Sequence, residues 1–530
     1  MTRLEEPIGI ETDVLVVGGG MAACWAASAA AGAGARVTLV DKGFVGTSGV
    51  TATGGPNHWW VPPDPALRRD AIERRLATAY GLADAEWMER VIDTTWRLLP
   101  TLAAHYPFGS DGKGGTFFAG VRGPEYLRAL RALATERGVR ILDHHPALEL
   151  LVDPDGAAAG AAGYARLTRR PWRAEAKAVI LATGGCAFRS GLIGSHTNTG
   201  EGYLMGVEAG AELSGMEFSA AYSLSPAWNS TRSLPYFAAR FFDAGGRELD
   251  IPPPMAGNAH WQGLAAAMLQ GPVFADLVDA PAALRSTLRE IQPASLTPFE
   301  RRGVSLFDER FEVRLFGEGT IRGVGGLRIV DDGCQTRVPG LYAAGDAASR
   351  EPVAGATSGG GAQNSAWALT SGHRAGLAAA ERMRTRRDGH APSRATGQAG
   401  LRPTSTPRPI ERPALVETIQ AHSIAYDRAL WRNASSLADS AEQLEAVWQQ
   451  ISAHGHGEGL DIVASREVAA MAATARWCIA AARAREESRG MHIRVDHPHG
   501  AAPPARIATG GLDAVWTRPD QQSSQTELAA

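Results

Sequence analysis

Three successive glycines, Gly18, Gly19 and Gly20, close the aliphatic run DVLVV and open a run of small residues beginning Met21-Ala22-Ala23. This grouping suits phosphate. Only a residue without Cβ allows such a tight turn and a close backbone approach to a pyrophosphate, and the following helix would aim its N-terminal N–H groups and positive dipole end at the same phosphates. Ala23 stands at the third glycine position of the dinucleotide fingerprint, a permitted variant. Asp41 ends the next aliphatic run, VTLV, with Lys42 beside it; its carboxylate can accept two hydrogen bonds from an unphosphorylated ribose. The loop GTSGVTATGG (46–55) carries Thr47, Ser48, Ala52, Gly54 and Gly55, whose N–H donors could wrap further phosphate. Taken alone, the glycines also fit small-residue packing at an ordinary buried turn.

Other candidates surround this core. His58, Trp59 and Trp60 follow the loop directly and could form an aromatic wall of a substrate pocket, or pack in the interior. His196 opens HTNTGEG, which also holds Asn198, Gly200 and Glu201, and it could face the pocket or fix a turn. Arg240 and Arg322 could anchor an anion or transfer a proton, Arg240 being the first choice, although most arginines are solvated or paired. His260 beside Trp261 is a weaker candidate. Arg489 and His492, in EESRGMHIR, read as ties between domains. Cys24, Cys186, Cys334 and Cys478 lie too far apart for a disulfide framework or a metal-binding pair.

The elements that must position these residues are legible as a β-α-β opening unit and two later strands that run into glycine turns. These are AKAVILATGG, with Ala182, Thr183 and Gly184, and GLYAAGD, ending at Asp346. The stretch 206–322 is rich in aromatics and prolines (FSAAYSLSPAWN, LPYFAARFFD, DIPPPM) and reads as an inserted domain. Residues 383–412 are dense in Pro, Ser, Thr, Gly and Arg and read as a linker, 413–505 shows helical periodicity, and 506–530 is a polar tail expected to fray from about 517. The remaining blocks, 1–205 and 323–382, would make one divided nucleotide domain. The chain has 530 residues, 53 Lys+Arg against 56 Asp+Glu, and a net charge of −3, so it has no electrostatic footprint for nucleic acid. The opening MTRLEEPIGIETD lacks a secretory pattern, and glycines interrupt the apolar stretch 14–35. A cytoplasmic location without membrane insertion is the expectation.

GGGMAA, VDKG, TSGVTATGG, LATGG, HTNTGEG, GLYAAGDAAS and EESRGMHIRVDHP together resemble the fumarate reductase/succinate dehydrogenase flavoprotein family. Its members include L-aspartate oxidase and the adenylylsulfate reductase flavoprotein subunit. The resemblance implies an α/β fold: a Rossmann-like FAD-binding domain with an inserted α+β capping domain and a C-terminal helical domain. It also implies an FAD-dependent oxidoreductase. Carried over position by position, it implies FAD contacts at Gly18, Gly20, Met21, Ala22, Asp41, Lys42, Thr47, Ser48, Ala52, Gly54, Gly55, Ala147, Ala182, Thr183, Gly184, Asn198, Gly200, Glu201, Asp346, Asn364 and Ser365, with substrate between flavin and cap. Catalytic help would come from Arg240, His196 or Arg322.

Departures from the family pattern narrow this. Ser48 replaces the histidine that binds FAD covalently in some members, so non-covalent FAD is expected. Ile321 replaces a dicarboxylate-binding histidine, and Ala354-Gly355-Ala356-Thr357-Ser358 replaces the segment that clamps the other carboxylate. The cap arginine falls near Pro235, with Arg232 and Arg240 close by. Succinate, fumarate and aspartate are therefore poor substrates on this pattern, unless Arg240, Arg322 or Arg328 has taken over. The cysteines cannot hold an iron–sulfur cluster and no second dinucleotide fingerprint is present. The electron acceptor is thus expected outside the chain: dioxygen, a quinone or a separate iron–sulfur (ferredoxin-like) protein. The alternatives are an adenylylsulfate reductase-like or L-aspartate oxidase-like subunit, and a flavin-bearing electron-transfer or binding subunit without its own substrate chemistry.

Overall fold

The structure is a computed structural model and describes residues 6–112, 114–231, 234–291, 293–358, 360–385, 392–500 and 503–520. Its centre is a five-stranded parallel sheet built from β1 (Val14–Val17), β2 (Val37–Val40), β3 (Arg140–Leu142), β4 (Ala178–Leu181) and β5 (Leu341–Ala343). The spatial order is β5-β4-β1-β2-β3, with Val16 opposite both Leu39 and Ile180. Strands buried on both faces favour near-continuous apolar runs; VLVV and AVIL are wholly aliphatic, and VTLV is aliphatic but for the β-branched Thr38. α1 (Met21–Gly32) leaves β1 through the glycine turn and packs along α2 (Gly360–Thr385). Glycines allow that close approach: a Cβ on Gly372 would stand 2.4 Å from the Ala22 carbonyl oxygen, and one on Gly376 2.3 Å from that of Ala26.

A second sheet, composed of Ile8–Glu11, Arg170–Glu175, Ala158–Ala165, Ala147–Val152 and Arg394–Ala395, flanks the first. Its last strand comes from the expected linker, where Arg394 pairs with Val152. Within 206–322, an antiparallel sheet in the order Tyr222–Pro226, Phe311–Gly317, Val273–Asp276, Arg240–Phe242 carries its own core, including Phe241, Val273, Phe299, Phe311 and Leu315. Leu213–Ser214 belongs elsewhere: it joins Gly326–Leu327, Ile507–Gly510 and Trp516–Pro519 in a four-stranded sheet. Fraying from 517 is thereby corrected as far as Pro519, because this strand pairs with Ile507–Gly510; 521–530 lie outside the described residues.

Near the C-terminus, α3 (Asp461–Ala484) packs on the helices Ala434–His454, Arg412–Ser423 and Glu201–Glu208. No helix among the described residues is long and apolar enough to cross a membrane.

Candidate active site

A cleft of about 660 Å³ opens at the carboxyl ends of β1, β2, β4 and β5, where an open parallel sheet leaves space for a ligand. The glycine turn forms its floor. Gly18 has φ +121°, and a Cβ there would meet the Ala182 carbonyl oxygen at 2.2 Å, so β1 and β4 approach only through glycine. A Cβ on Gly20 would meet nothing within 4 Å: the space before α1 is open. α1 has no side-chain cap and no acid in its first turn, which leaves its N-terminal N–H groups and positive dipole end for a phosphate. Asp41 is buried and lines the cleft, its carboxylate accepting hydrogen bonds from the Gly43 N–H (2.8 Å) and the Ser48 hydroxyl.

Beside Asp41, Lys42 lies 2.6 Å from Glu201 and 3.2 Å from Glu467, and Arg189 reaches Glu467 at 2.6 Å. Burial disfavours the Lys42 ammonium, but the two carboxylates outweigh it and hold its pKa above the usual value. Burial likewise opposes the Glu467 carboxylate, which Lys42 and Arg189 keep ionised and below the ordinary range. Glu467 comes from α3, so the helical region reaches the cleft. The sequence carried one signal of this, an acid inside the alanine-rich pattern REVAAMAATARW.

At β5, Asp346 lines the cleft, and its turn is held by Gly345 N–H donating to Ser371 (3.0 Å) and Trp367 Nε1 donating to the Gly345 carbonyl (3.0 Å). The cleft also meets Met21, Ala22, Thr47, Ser48, Gly54, Gly55, Ala147, Ala182, Thr183, Gly184, Asn198, Asn364 and Ser365, together with Thr53, Arg166 and Thr197, which the motifs did not single out. Ala52 and Gly200 stand outside this lining. A Cβ on Gly200 would press on Thr474 Oγ1 of α3 at 2.6 Å, so that glycine serves packing.

The substrate candidates divide. Ile321 and Arg322 line the cleft; Arg322 is partly exposed, with Nε 3.6 Å from Glu318. Glu318 is fully buried and accepts a short hydrogen bond from Ser223. Arg240 does not reach the cleft: strand pairing sets it opposite Asp276, where it also meets Asp279 (3.2 Å), and these carboxylates raise its pKa, Asp276 most strongly. It borders a separate cavity of the cap with Tyr236 and His260, whose Nδ1 lies 2.6 Å from the Pro252 carbonyl oxygen. Arg328 pairs with Asp520 and Glu212, and Arg232 lies outside the described residues.

His196 is exposed and outside the lining, its N–H closing a turn onto Leu192. His58 and Trp59 are buried in the core, and Trp60 packs on Trp96 (4.2 Å between ring centroids) and Phe118; Asn57 is the residue of that segment that meets the cleft. Trp25 Nε1 donates to the Tyr126 hydroxyl, which lies 3.3 Å from His58 Nε2, and burial pushes the His58 pKa down to about 4, so the ring is neutral. Arg489 donates to the Tyr80 carbonyl and pairs with Glu487, and buried His492 lies 2.7 Å from Arg432.

The family described as FAD binding domain matches residues 13–233, and that described as fumarate reductase flavoprotein C-term matches 422–529. The L-aspartate oxidase of Streptomyces coelicolor is 27% identical, the match covering 93% of this chain and 91% of that protein. A fumarate reductase (CoM/CoB) polypeptide of Methanothermobacter marburgensis is 25% identical, covering 92% and 95%. Among solved structures, a variant of the E. coli quinol fumarate reductase FrdA superposes with a TM-score of 0.81 at 19% identity over 97% of each chain. The adenylylsulfate reductase of Archaeoglobus fulgidus gives 0.74 at 18% identity over 97% of this chain and 96% of that one. These two structures share the fold.

Proposed function

This chain belongs to the fumarate reductase/succinate dehydrogenase flavoprotein family and is an FAD-dependent oxidoreductase, and from that membership we propose that its substrate is a small organic or sulfur-containing compound with one anionic group at most. The cofactor would lie along the cleft, its pyrophosphate at the Gly18–Gly20 turn, its adenosine ribose on Asp41, and its ribityl chain on Asp346. FAD, when bound, supplies acceptance or donation of an electron pair. The chain supplies position, electrostatics and shelter from water.

The observation that carries the substrate reading is the distribution of cations. Three described side-chain cations line the cleft: Lys42, Arg166 and Arg322. Lys42 and Arg166 stand with Glu467 beside the Asp41 end, at 3.2 and 3.8 Å from it. Arg322 also has a carboxylate near it, Glu318 at 3.6 Å, but it is partly exposed and lies beside Ile321, away from the Asp41 end, where it can meet a substrate anion. A dicarboxylate needs partners at both ends, because a buried unpaired carboxylate is severely penalised, and Ile321 offers an apolar surface next to Arg322 instead. Arg322 thus replaces Arg240 as the cation that holds substrate and stabilises charge near the reacting atoms. The four cysteines lie far apart in the sequence, and the electron acceptor in this reading is an acceptor protein, a quinone or dioxygen outside the chain.

Anaerobic mixing of the FAD-loaded protein with a panel of substrates tests this reading. Flavin colour should bleach with a monoanionic or neutral compound and persist with succinate and aspartate. Arg322→Gln should weaken binding of the bleaching compound roughly tenfold or more, the worth of one charge-assisted hydrogen bond. Bleaching by succinate or aspartate, or reoxidation of the dithionite-reduced flavin by fumarate, overturns the substrate class, and no response of either the oxidised or the reduced flavin to any compound favours an electron-transfer subunit.

A further inference from the structure

Arg350 is a buried cation that neither the cofactor contacts nor the substrate contacts employ. It follows the Gly345–Asp346 turn and is 1% exposed. A guanidinium is costly in an interior unless its donors are used; here Nε has no partner among the described residues, and the two terminal nitrogens join two separate parts of the cleft wall. Nη1 donates to Asp346 Oδ1, and Nη2 donates to the backbone carbonyls of Thr320 (3.2 Å), Ile321 (2.8 Å) and Gly323. The Arg350 N–H adds a bond to the Val324 carbonyl (3.0 Å). Asp346 faces the cofactor part of the cleft, while Ile321 and Arg322 sit in the loop whose carbonyls the guanidinium gathers. Tyr203 makes a second link, its hydroxyl donating to the Asp346 carbonyl (2.6 Å) and lying 2.9 Å from Thr320 Oγ1.

We propose that Arg350 is a positioning residue that couples occupancy of the FAD part of the cleft to the conformation of the 319–324 loop, which presents Ile321 and Arg322 to substrate. A cofactor hydroxyl on Asp346 fixes the carboxylate, the carboxylate fixes the guanidinium, and the guanidinium holds three carbonyls of the loop. Coupling of this kind is reciprocal: substrate on the loop tightens FAD by the same factor. The inference rests on the reading that Asp346 contacts FAD and that the 319–324 loop faces substrate, and it is independent of the substrate class.

Amide hydrogen exchange on the full chain, stripped of FAD and then saturated with it, tests the coupling. The N–H groups of Thr320, Ile321, Gly323 and Val324 are all donors within the fold, so their exchange reports opening of the loop. In the wild type, FAD should slow exchange both at 18–24 and at 319–324, the latter by about tenfold, inside the usual range of coupling. In Arg350→Lys and Arg350→Met, saturating FAD should still protect 18–24 while protection of 319–324 falls to a small fraction. Asp346→Leu removes the acceptor of that bond from the other side with side-chain volume roughly retained and should act likewise if the arginine variants fail to fold. Protection of the loop by FAD that is undiminished in the variants, or absent in the wild type while 18–24 is protected, overturns the coupling alone. Absence of protection at both segments in the wild type overturns the cofactor reading and the coupling with it.

Discussion

A carboxylate with no route to water must find cations or keep its proton, and Glu351, the neighbour of Arg350, is in that position. Burial pushes its pKa up to about 7 against the pull of Arg506, and nearby Glu217 adds to the rise. The folded value lies above the ordinary 4.5, so the folded state binds the proton more tightly. Its stabilising contribution is full below about pH 4.5 and is lost as pH rises through 7. Glu351→Gln, which keeps the shape and cannot ionise, should gain on the wild type by about 2–3 kcal/mol between pH 5 and pH 8 in urea unfolding. A gain that does not change with pH would show that Glu351 is ionised throughout. Residues with a local signature are legible without the fold: Gly18, Gly20, Asp41 and Asp346 all meet the cleft because their positions at strand ends follow from the aliphatic runs before them. Arg240 is not, because its partner Asp276 is set by strand pairing across 36 positions of sequence. His58 misleads for the same reason: its neighbours Tyr126 and Ala119 arrive from a later helix and loop.

At the scale of elements, the approach of α1 to α2 decides whether the glycine turn is held in place. Gly372 and Gly376 face the α1 backbone, and neither position has room for a methyl group. Gly372→Ala should therefore lower stability by about 1–3 kcal/mol through overpacking, despite the higher helix propensity of alanine, and it should weaken FAD binding in equilibrium titration. An unchanged melting temperature and affinity would show that the contact relaxes without moving the turn. The strands of the parallel sheet are legible from composition, since burial on both faces leaves little choice but aliphatic residues. The short strands are not. Leu213–Ser214 is too brief to carry a periodic pattern, and its partners Leu327 and Thr509 are distant in sequence. Composition also conceals the hairpin of Ile507–Gly510 and Trp516–Pro519, where exposed positions make a real strand look like a polar tail.

The molecule as a whole is organised around one cleft to which distant segments contribute: the opening β-α-β unit, the 194–201 turn, the 321–322 loop, α2 and, through Glu467, the helical region near the C-terminus. A ligand that spans these segments binds the folded chain and not the unfolded one, so FAD should stabilise all of them together by mass action. Tryptic cleavage within 422–500 should slow on addition of FAD to the stripped protein, and equal cleavage with and without FAD would show that the Lys42–Glu467 contact does not transmit binding to that region. The most direct test of the central claim is the flavin itself. The purified chain should be yellow, and denaturation should release one equivalent of intact FAD into solution and leave the precipitated protein colourless. Flavin that stays with the precipitate would contradict non-covalent binding, and a colourless protein that takes up no added FAD would contradict the account of the cleft altogether.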